Sequence, residues 1–369
     1  MNLRALGRLD PLLLLAAILL VSYGIVLLYS ATLSQYPHVR GWEHPAVRQG
    51  AFALLGAVVA LAVAATNYRH WGRRAPYLYL VSLALLMAVL VVGERTFGSR
   101  RWLLIMGTPV QASEPAKLCL VLALAKFLSD RPEGARGLKT FLLALALALP
   151  PAALIMAEPD LGSTAIVALA SLGLIMLAGA RLSHVLTFVT AASILAPFIF
   201  MALGDYQRHR LALFLNPSID PLGAGFNVRQ AEISVGAGGL LGRGLTQGTQ
   251  TQLEFLQTRT TDYIFSVLGE ELGFIGGMLL LGIFLLLLWR ALGIATLAPD
   301  PFGRFLAAGI ALIIIFQVFI NIGVNIRLLP VTGVPLPFVS QGGSSLVTLF
   351  IAVGLLQSIW ARRRYPFEP

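Results

Sequence analysis

Long apolar runs separated by short polar segments make up most of this chain. The runs are continuous rather than alternating, and each approaches the ~20 residues that a helix needs to cross the hydrocarbon core of a membrane. The strands of a transmembrane β-barrel would instead alternate polar and apolar residues over about ten positions. The pattern therefore predicts an all-α integral membrane protein with about ten transmembrane helices, at approximately 11–30, 47–66, 76–93, 113–128, 140–156, 161–177, 185–203, 261–289, 305–324 and 343–360.

Basic residues near the ends of the runs predict the orientation of these helices. If the amino terminus is placed in the cytoplasm, 15 of the 27 lysine and arginine residues fall on the cytoplasmic side. The short loops and tails, which count most in the positive-inside rule, share this bias. Both termini are therefore expected in the cytoplasm, with residues 1–369 forming a single polytopic membrane domain.

Composition supports this interpretation and excludes several other classes of protein. Apolar residues make up 57% of the chain and charged residues only 12%, with a mean hydropathy of +0.81, which excludes a water-soluble globule. The net charge of +10 lies in segments between the spans, so orientation and anionic lipid explain it better than nucleic acid. The lone cysteine, Cys119, excludes a disulfide within the chain.

Two polar segments depart from the pattern of short connectors. Residues 204–260 form a long extracytoplasmic loop between the seventh and eighth spans, and a loop of this length is usually functional or disordered. Residues 325–342 contain several prolines and glycines, which forbid a continuous helix and predict a re-entrant segment that lines a cavity. The residues expected in this cavity wall are Pro330, Gly333, Pro335, Pro337, Ser340, Gly342, Gly343 and Ser344.

Charged residues at membrane depth are costly and are therefore candidates for function. Glu114 and Lys117 are three residues apart on the fourth span, where they can pair on one helix face. A structural ion pair and a pair that lines a polar cavity explain them equally well. Between the fifth and sixth spans, helix capping accounts for Asp160, whereas the role of Glu158 stays open.

A third acidic group marks the point where the long loop returns to the membrane. Asp262 opens the eighth span, and Glu270 and Glu271 follow about 12 Å farther along the same helix. Capping is the ordinary role for an acidic residue at a helix start. Three carboxylates on one spanning helix nevertheless indicate that at least one of them faces a wet cavity.

Arginines on the outer side are candidates for binding a phosphate group. Guanidinium groups bind phosphate oxygens in a bidentate geometry, and these residues lie near the membrane carboxylates. For any single arginine a solvated surface position is the simpler explanation, whereas the group as a whole fits a lipid pyrophosphate. The candidates are Arg101, Arg208, Arg210, Arg229, Arg243 and Arg259.

Several motifs resemble the SEDS family (shape, elongation, division and sporulation) of integral membrane peptidoglycan polymerases, and the resemblance covers nearly the whole chain. The segment Gly248-Thr-Gln-Thr-Gln-Leu-Glu-Phe255 is similar to the elongation branch of that family. The other motifs are Gln111-Ala-Ser-Glu-Pro-Ala-Lys117, Glu158-Pro-Asp-Leu-Gly162, Asp220-Pro-Leu-Gly-Ala-Gly225, and the run from Asn321-Ile-Gly-Val through Pro330-Val-Thr-Gly-Val-Pro-Leu-Pro-Phe-Val-Ser340 to Gly342-Gly-Ser-Ser345.

The resemblance implies an activity and a set of partners. It implies that lipid II, an undecaprenyl-pyrophosphate-linked disaccharide pentapeptide, is polymerised into glycan strands at the outer face of the bacterial cytoplasmic membrane during elongation. The essential aspartate of the family falls on Asp262, and its conserved glutamate and lysine fall on Glu114 and Lys117. The implied partners are a class B penicillin-binding protein that acts as transpeptidase and other proteins of the elongation complex.

These residues support one mechanism and leave two rival functions open. Asp262 could accept a proton from the acceptor sugar hydroxyl as that hydroxyl displaces the pyrophosphate, and a single displacement would invert the donor configuration. Basic groups or a divalent cation, Mg or Mn, would stabilise the leaving pyrophosphate, although the residues specify no metal site. The rivals are a lipid II flippase and a non-catalytic scaffold for a penicillin-binding protein.

Overall fold

The computed structural model describes residues 7–36, 39, 41–96, 99–105, 108–220 and 223–363. Within these ranges the chain forms thirteen α-helices and one antiparallel sheet of three strands. The helices are α1 Pro11–Thr32, α2 Pro45–Ala65, α3 Tyr68–Val92, α4 Ser113–Ser129, α5 Leu138–Ala157, α6 Leu161–Leu177, α7 Leu182–Ala202, α8 Asp205–Leu215, α9 Ala224–Ala237, α10 Thr249–Gln252, α11 Ile264–Thr296, α12 Pro301–Asn325 and α13 Gly343–Trp360. The strands are β1 Glu94–Thr96, β2 Ser99–Ile105 and β3 Thr108–Gln111.

Ten of the helices coincide with the ten predicted spans. In the described ranges, seven are long and apolar enough to cross a membrane, namely α1, α2, α3, α5, α11, α12 and α13. The apolar helix α6 and the apolar part of α7 are shorter. The remaining helix, α4, has 17 residues and carries the buried Glu114 and Lys117. The prediction of an all-α membrane protein is confirmed, with the small sheet between α3 and α4 as an unpredicted addition.

Polar side chains and prolines fix where several of the helices begin. Asp10 caps α1 by accepting hydrogen bonds from two backbone N–H groups, and Asp300 caps α12 in the same way through Gly303. Proline occupies the first position of α1, α2 and α12, where its missing N–H group costs nothing. These caps explain why the chain turns at the ends of its apolar runs.

The two ends of the described chain meet at one end of the helix bundle. The Asp10 backbone N–H donates to Gln357 Oε1 (2.7 Å), and Gln357 Nε2 donates back to the Asp10 carbonyl (2.9 Å). Arg290, near the end of α11, donates to the Asp10 carboxylate at 2.8 and 2.5 Å. The start of α1 and the ends of α11 and α13 therefore lie side by side, as an even number of spans requires.

Helix α11 is broken at Gly273, which has a φ of 63°. The glycine-rich loop 238–244 supplies the hydrogen bonds that the break removes. Arg243 N and Gly244 N donate to the carbonyls of Glu270 and Glu271, both at 2.9 Å. On the far side of the break, the N–H groups at positions 274 and 275 donate to the carbonyls at positions 239 and 240. The loop therefore supplies backbone hydrogen bonds to α11 on both sides of Gly273.

The long loop and the proline-rich segment lie together at the other end of the bundle. Residues 204–260 fold into α8, a short 3₁₀ turn at Pro217–Ile219, α9 and α10. Residues 326–342 run between α12 and α13 without forming a helix in the described chain. The backbone of Val339 packs directly on Gly24 of α1, where even a methyl group would collide with it. The proline-rich segment is therefore wedged among the helices.

Candidate active site

A cavity of about 520 Å³ opens where the long loop, the sheet and the proline-rich segment meet. Helix α8 and the start of α9 cover it on one side, and the sheet and residues 331–345 enclose it on the others. Its lining residues are Arg101, Trp102, Gln111, Tyr206, His209, Arg210, Leu213, Gly223, Asn227, Gln257, Thr258, Thr261, Asp262, Tyr263, Val331, Gly333, Pro335, Gln341, Gly342, Ser344 and Ser345. Asp262 is the one carboxylate in this lining.

Asp262 sits in a tight turn immediately ahead of α11. The backbone N–H groups of Thr261, Asp262 and Tyr263 all point to the Thr258 carbonyl, at 3.1–3.2 Å. This turn fixes the side chain of Asp262 at the cavity surface, at the end of a helix whose next two turns are fully buried.

Two arginines face the Asp262 carboxylate across Gly333. A Cβ atom built on Gly333 would lie 3.2 Å from Arg101 Nη1, 3.6 Å from Asp262 Oδ2 and 3.7 Å from Arg210 Nη1. Gly333 also has a φ of +77°, a conformation that side-chain-bearing residues rarely adopt. The backbone conformation therefore favours a glycine at this position, and three charged groups converge beside it.

The electrostatic environment of Asp262 has two opposing parts. Burial raises the pKa of its carboxyl group, because the low-polarity surroundings disfavour the ionised form. The positive charge of Arg210, a hydrogen bond from Thr261 and the charge of Arg101 each lower this pKa, in that order of size. A carboxylate in this setting can exist ionised next to a proton donor and can accept its proton.

Backbone carbonyls and an aromatic ring hold the two arginines in place. Arg101 donates to the carbonyls of Glu158 and Pro159 in the connection between α5 and α6. Arg210 lies over the Tyr206 ring, 4.6 Å from its centroid, and donates to the Val331 carbonyl at 3.4 Å. Among the described residues, no carboxylate lies within 4 Å of either guanidinium group, so both keep positive charge available at the cavity.

Glu158 and Asp160 lie behind Arg101 and have different environments. Asp160 caps α6 by accepting from Ser163 N at 3.0 Å, and Gln111 Nε2 donates to it at 3.4 Å. Glu158 is only 1% exposed, and neither of its carboxylate oxygens has a hydrogen-bond partner among the residues that the structure describes. Burial is the main cause that raises the pKa of Glu158 to about 8, with the negative charge of Asp160 adding to it. Neither side chain lines the cavity.

Glu114 and Lys117 form a buried ion pair beneath the cavity. Lys117 Nζ lies 2.9 Å from Glu114 Oε1, and both side chains are 2% exposed. The Lys117 ammonium also donates to Gln317 Oε1 at 3.1 Å, and Gln317 Nε2 donates to the Pro335 carbonyl at 3.1 Å. The hydroxyl of Ser345, a cavity-lining residue, donates to Glu114 Oε2 at 3.3 Å. The pair therefore supports the cavity wall without reaching its surface.

Glu270 and Glu271, which were expected to support the polar cavity, lie outside its lining, and of the three carboxylates on this span Asp262 lines it. Glu270 accepts hydrogen bonds from the N–H groups and hydroxyls at the start of α10, with distances of 2.9–3.3 Å. Glu271 accepts from the Ser30 hydroxyl at 2.6 and 2.7 Å. Glu270 therefore anchors the loop between α9 and α11, and Glu271 joins α11 to α1. These structural roles explain why α11 carries more carboxylates than solubility requires.

Four of the six candidate arginines are also placed away from the cavity. Arg208 donates to the carbonyls at the end of α7, and Arg243 donates to the carbonyl of Ala237 at the end of α9. Arg259, which is 2% exposed, donates to the Ala31 carbonyl at the end of α1 (2.7 Å). Arg229 bonds the Ser218 hydroxyl on the loop surface. Three of these arginines satisfy helix carbonyls, a role that charge alone does not distinguish from phosphate binding.

The proline-rich segment divides into residues that line the cavity and residues that hold the segment in place. Of the expected wall, the cavity surface includes Gly333, Pro335, Gly342 and Ser344. The other four, Pro330, Pro337, Ser340 and Gly343, are not part of this surface. Ser340 Oγ instead accepts from Leu336 N (2.8 Å) and donates to the Thr261 carbonyl (2.6 Å), and Gly343 packs on the Phe52 ring.

Sequence reasoning missed the residues that the sheet and α8 contribute. Trp102 and Gln111 are register partners on β2 and β3, so both side chains leave the sheet on the same face, toward the cavity. Tyr206 and His209 lie near Arg210 on α8. The polar segment between spans three and four could have indicated these residues, because a turn-rich stretch of this length can form a small sheet.

No group of three or more metal-binding side chains is gathered in the part of the chain that the structure describes. Asp262 is the carboxylate that could contact a cation in the cavity. Magnesium is often held by one or two carboxylates together with substrate phosphates, and this residue set fits such a site.

Comparison with known proteins extends these findings. The sequence profile of the cell cycle protein family that comprises FtsW, RodA and SpoVE matches residues 10–365. The chain is 41% identical to the peptidoglycan glycosyltransferase MrdB of Escherichia coli K12, covering 97% of this chain and 95% of the relative. It is 39% identical to the stage V sporulation protein E of Bacillus subtilis, covering 96% and 98%.

A solved structure has the same fold. The match is to a structure of a peptidoglycan synthase complex that coordinates polymerization and crosslinking, with a TM-score of 0.82 and 33% identity over 96% of this chain and 98% of that one. The matching profile, the identities and this likeness agree with the SEDS motifs of the sequence. This chain therefore belongs to the family of cell cycle proteins that comprises FtsW, RodA and SpoVE.

Proposed function

We propose that this chain is a peptidoglycan glycosyltransferase that polymerises lipid II into glycan strands during cell elongation. Its relative in Escherichia coli is named as a peptidoglycan glycosyltransferase. The observation that carries the proposal is the convergence of Asp262, Arg101 and Arg210 on Gly333 inside one cavity. A base beside two phosphate-binding groups is what glycosyl transfer from a pyrophosphate donor requires.

The chemistry follows from the two kinds of charge in the cavity. The acceptor sugar hydroxyl loses its proton to the Asp262 carboxylate as its oxygen bonds to the anomeric carbon of the donor. The bond from that carbon to the pyrophosphate oxygen breaks, and the lipid pyrophosphate leaves with the electron pair. Arg101 and Arg210 bind the charge that develops on the phosphate oxygens. One displacement without a covalent intermediate inverts the configuration at the anomeric carbon.

A divalent cation, Mg or Mn, belongs to the proposal as a possible companion of the pyrophosphate. When bound, it would neutralise part of the charge on the leaving group. Asp262 is the protein carboxylate within the cavity that would hold it. Proton acceptance and anion binding by the chain's own residues do not depend on it.

The proposed location is the outer face of the bacterial cytoplasmic membrane. The cavity lies at the end of the bundle opposite to Asp10 and Gln357, where the described chain begins and ends. The positive-inside bias of the short loops and tails supports a cytoplasmic location for those chain ends. The cavity then faces outward, where glycan strands are assembled.

The proposed partner is a class B penicillin-binding protein that supplies the transpeptidase, together with other proteins of the elongation complex. The structural relative with a TM-score of 0.82 belongs to a peptidoglycan synthase complex of polymerization and crosslinking.

Asp262→Asn tests the assignment, because the amide keeps the size of the side chain but cannot accept the proton. We expect strand synthesis from lipid II in reconstituted vesicles to fall by at least ~10²-fold, the scale of general base catalysis. Asp130→Asn makes the same chemical change at an exposed position at the far end of α4 and should leave the rate unchanged. A normal rate in Asp262→Asn would refute the role of this residue.

The same vesicles distinguish the alternative functions when they are sealed and contain fluorescent lipid II. Glycan polymer from the wild-type protein supports the polymerase. Exchange of lipid II between leaflets without polymer would support a flippase. Neither product, together with intact binding of a penicillin-binding protein, would support a scaffold. The buried carboxylates do not favour a flippase, because Glu270 bonds the start of α10 and Glu271 bonds Ser30 of α1.

A further inference from the structure

Two asparagines near the end of α12 lie against the turn that carries Asp262. Asn321 and Asn325 are four residues apart, so they share one face of the helix, and each is 1% exposed. Buried amides are costly unless their hydrogen bonds are made. The partners of these two amides therefore show what the pair does.

Both side-chain amides donate to the same atom, the backbone carbonyl oxygen of Asp262. The distances are 3.1 Å from Asn321 Nδ2 and 2.9 Å from Asn325 Nδ2. Asn325 Oδ1 in turn accepts from the Ser266 backbone N–H (3.0 Å) and hydroxyl (2.7 Å) in the first turn of α11. Helix α12 therefore forms hydrogen bonds with both the Ser266 N–H group and the Asp262 carbonyl.

The two preceding carbonyls are also held, by the proline-rich segment. The Ser340 hydroxyl donates to the Thr261 carbonyl at 2.6 Å, and the Gln341 N–H donates to the Thr260 carbonyl at 2.9 Å. Three consecutive carbonyls of the turn are therefore fixed by groups from outside it. The backbone of a turn held in this way cannot move away from the cavity without breaking several hydrogen bonds.

Asn321 also connects the two walls of the cavity. Its Nδ2 donates to the Val334 carbonyl at 2.8 Å as well as to the Asp262 carbonyl. Val334 follows Gly333, the residue across which Asp262 faces Arg101 and Arg210. The Asn321 amide therefore holds the Asp262 backbone at a fixed distance from the backbone of Val334.

We propose that Asn321 and Asn325 are positioning residues that fix the Asp262 carboxylate relative to Gly333 and the two arginines. The proposal rests on the proposed glycosyl transfer and adds residues that touch neither substrate nor proton. Misplacement of a catalytic group by about 1 Å costs a rate factor of about 10². Loss of these amides therefore acts on the chemical step more than on substrate binding.

Asn321→Leu and Asn325→Leu remove the donors while keeping the approximate volume. We expect kcat for lipid II polymerisation to fall about 10- to 100-fold, with KM changed less than about threefold. Asn67→Leu is the matched control, because Asn67 caps α3 at the opposite end of the bundle through Arg69 N. This control makes the same substitution but loses an exposed hydrogen bond, in which Asn67 Oδ1 accepts from Arg69 N, and it should keep the wild-type kcat per folded molecule.

Asn321→Asp separates positioning from packing. An ionised aspartate cannot donate to the two carbonyls, whereas a protonated one regains one of the two hydrogen bonds. The rate of Asn321→Asp relative to wild type should therefore rise as pH is lowered, whereas the relative rate of Asn321→Leu should stay flat. A merely structural role predicts parallel curves for the two variants.

Wild-type kcat in the leucine variants, or a loss that follows only the folded fraction measured by thermal unfolding, would overturn the proposal. Equal pH dependence of the aspartate and leucine variants would overturn it as well. Failure of the proposed function is a separate result, since wild-type protein would then form no polymer and Asp262→Asn would not differ from it.

Discussion

At the scale of single residues, the cavity combines one carboxylate with two guanidinium groups that form no ion pair within the described part of the chain. Arg101 and Arg210 contact backbone carbonyls and an aromatic ring, which orient them but leave their charge. This charge both lowers the pKa of Asp262 and attracts phosphate. The same two residues therefore serve the ionised base and the leaving group.

Arg210→Gln should expose this double role. Because Arg210 is the largest influence that lowers the pKa of Asp262, its removal raises that pKa. The acid limb of the kcat/KM profile then moves to higher pH, since less Asp262 is ionised at any given pH. KM for lipid II should also rise by about tenfold, the loss expected for one charge-assisted hydrogen bond. A pH–rate profile of purified protein measures both effects.

Arg229→Gln is the matched control for this prediction, because Arg229 lies on the surface of the same loop and bonds Ser218 outside the cavity. Its profile should superimpose on that of the wild type. An acid limb that stays in place in Arg210→Gln would show that Arg210 does not act on the ionisation of Asp262.

Glu158 provides a stability test that is independent of catalysis. Its pKa rises from 4.5 to about 8 mainly because the carboxyl group is buried, and the negative charge of Asp160 adds to the rise. Between these pH values the unfolded chain releases the proton while the folded chain keeps it, so the free energy of unfolding falls as pH rises and levels off above about 8. Glu158→Gln removes this dependence.

We expect Glu158→Gln to unfold at a higher temperature than wild type at pH 8 and at a similar temperature near pH 4.5. The gain corresponds to a few kcal/mol, at ~1.4 kcal/mol per unit of pKa shift. Unfolding temperatures in detergent across this pH range measure it. Glu133→Gln, at an exposed position, should follow the wild-type curve. A wild-type curve that does not fall with pH would contradict the assignment.

At the scale of elements, the break in α11 is stabilised by a loop that a local sequence window cannot connect to it. The loop 238–244 and the break at Gly273 are about thirty residues apart, yet they exchange four backbone hydrogen bonds. The sequence predicts one long span here, because the glycine is flanked by apolar residues. The break separates the short upper part of α11, which follows Asp262, from the long apolar part.

Gly242→Ala should detach this loop from α11. Gly242 has a φ of +78°, and a methyl group there would collide with the carbonyl of Glu271. Gly239→Ala is the control with a similar backbone, since its φ is +54° but nothing lies within 4 Å of the added methyl group. We expect faster tryptic cleavage after Arg243 in Gly242→Ala than in Gly239→Ala. Equal cleavage rates would show that the loop is not held by this contact.

The elements also show which parts of the site the sequence can predict. Asp262, Gly333 and Arg210 follow from charge at a membrane edge and from proline and glycine content. The sheet residue Trp102 does not, because three short strands carry too few positions for a period-two pattern to stand out. Arg259 and Glu270 carry charges typical of a functional site. Only their tertiary contacts show that Arg259 donates to a carbonyl at the end of α1 and that Glu270 accepts from the N–H groups of α10.

At the scale of the whole molecule, the apolar pattern predicts the number and order of the spanning helices because each one must satisfy its backbone within the membrane. It cannot predict how the helices meet below the cavity. There the Glu114–Lys117 pair of α4 connects to α12 through Gln317 and to α13 through Ser345. The buried pair is thus the point where three helices support the cavity wall.

Variants of this pair determine whether it only stabilises the fold. Lys117→Met leaves the Glu114 carboxylate buried without its counter-ion, which should cost about 3–5 kcal/mol of stability. The double variant Glu114→Gln, Lys117→Met removes both charges and should recover most of that loss. Thermal unfolding in detergent, measured for the single and double variants side by side, gives the comparison.

Activity of the double variant gives the decisive result. Methionine cannot donate to Gln317, so the connection from Lys117 through Gln317 to the Pro335 carbonyl is broken even when the charges balance. We therefore expect a stable protein whose polymerisation rate per folded molecule stays about tenfold below that of the wild type, on the scale of a small misplacement of the cavity wall. Full recovery of both stability and rate would mean that the pair is structural alone, because charge balance would then be its whole contribution.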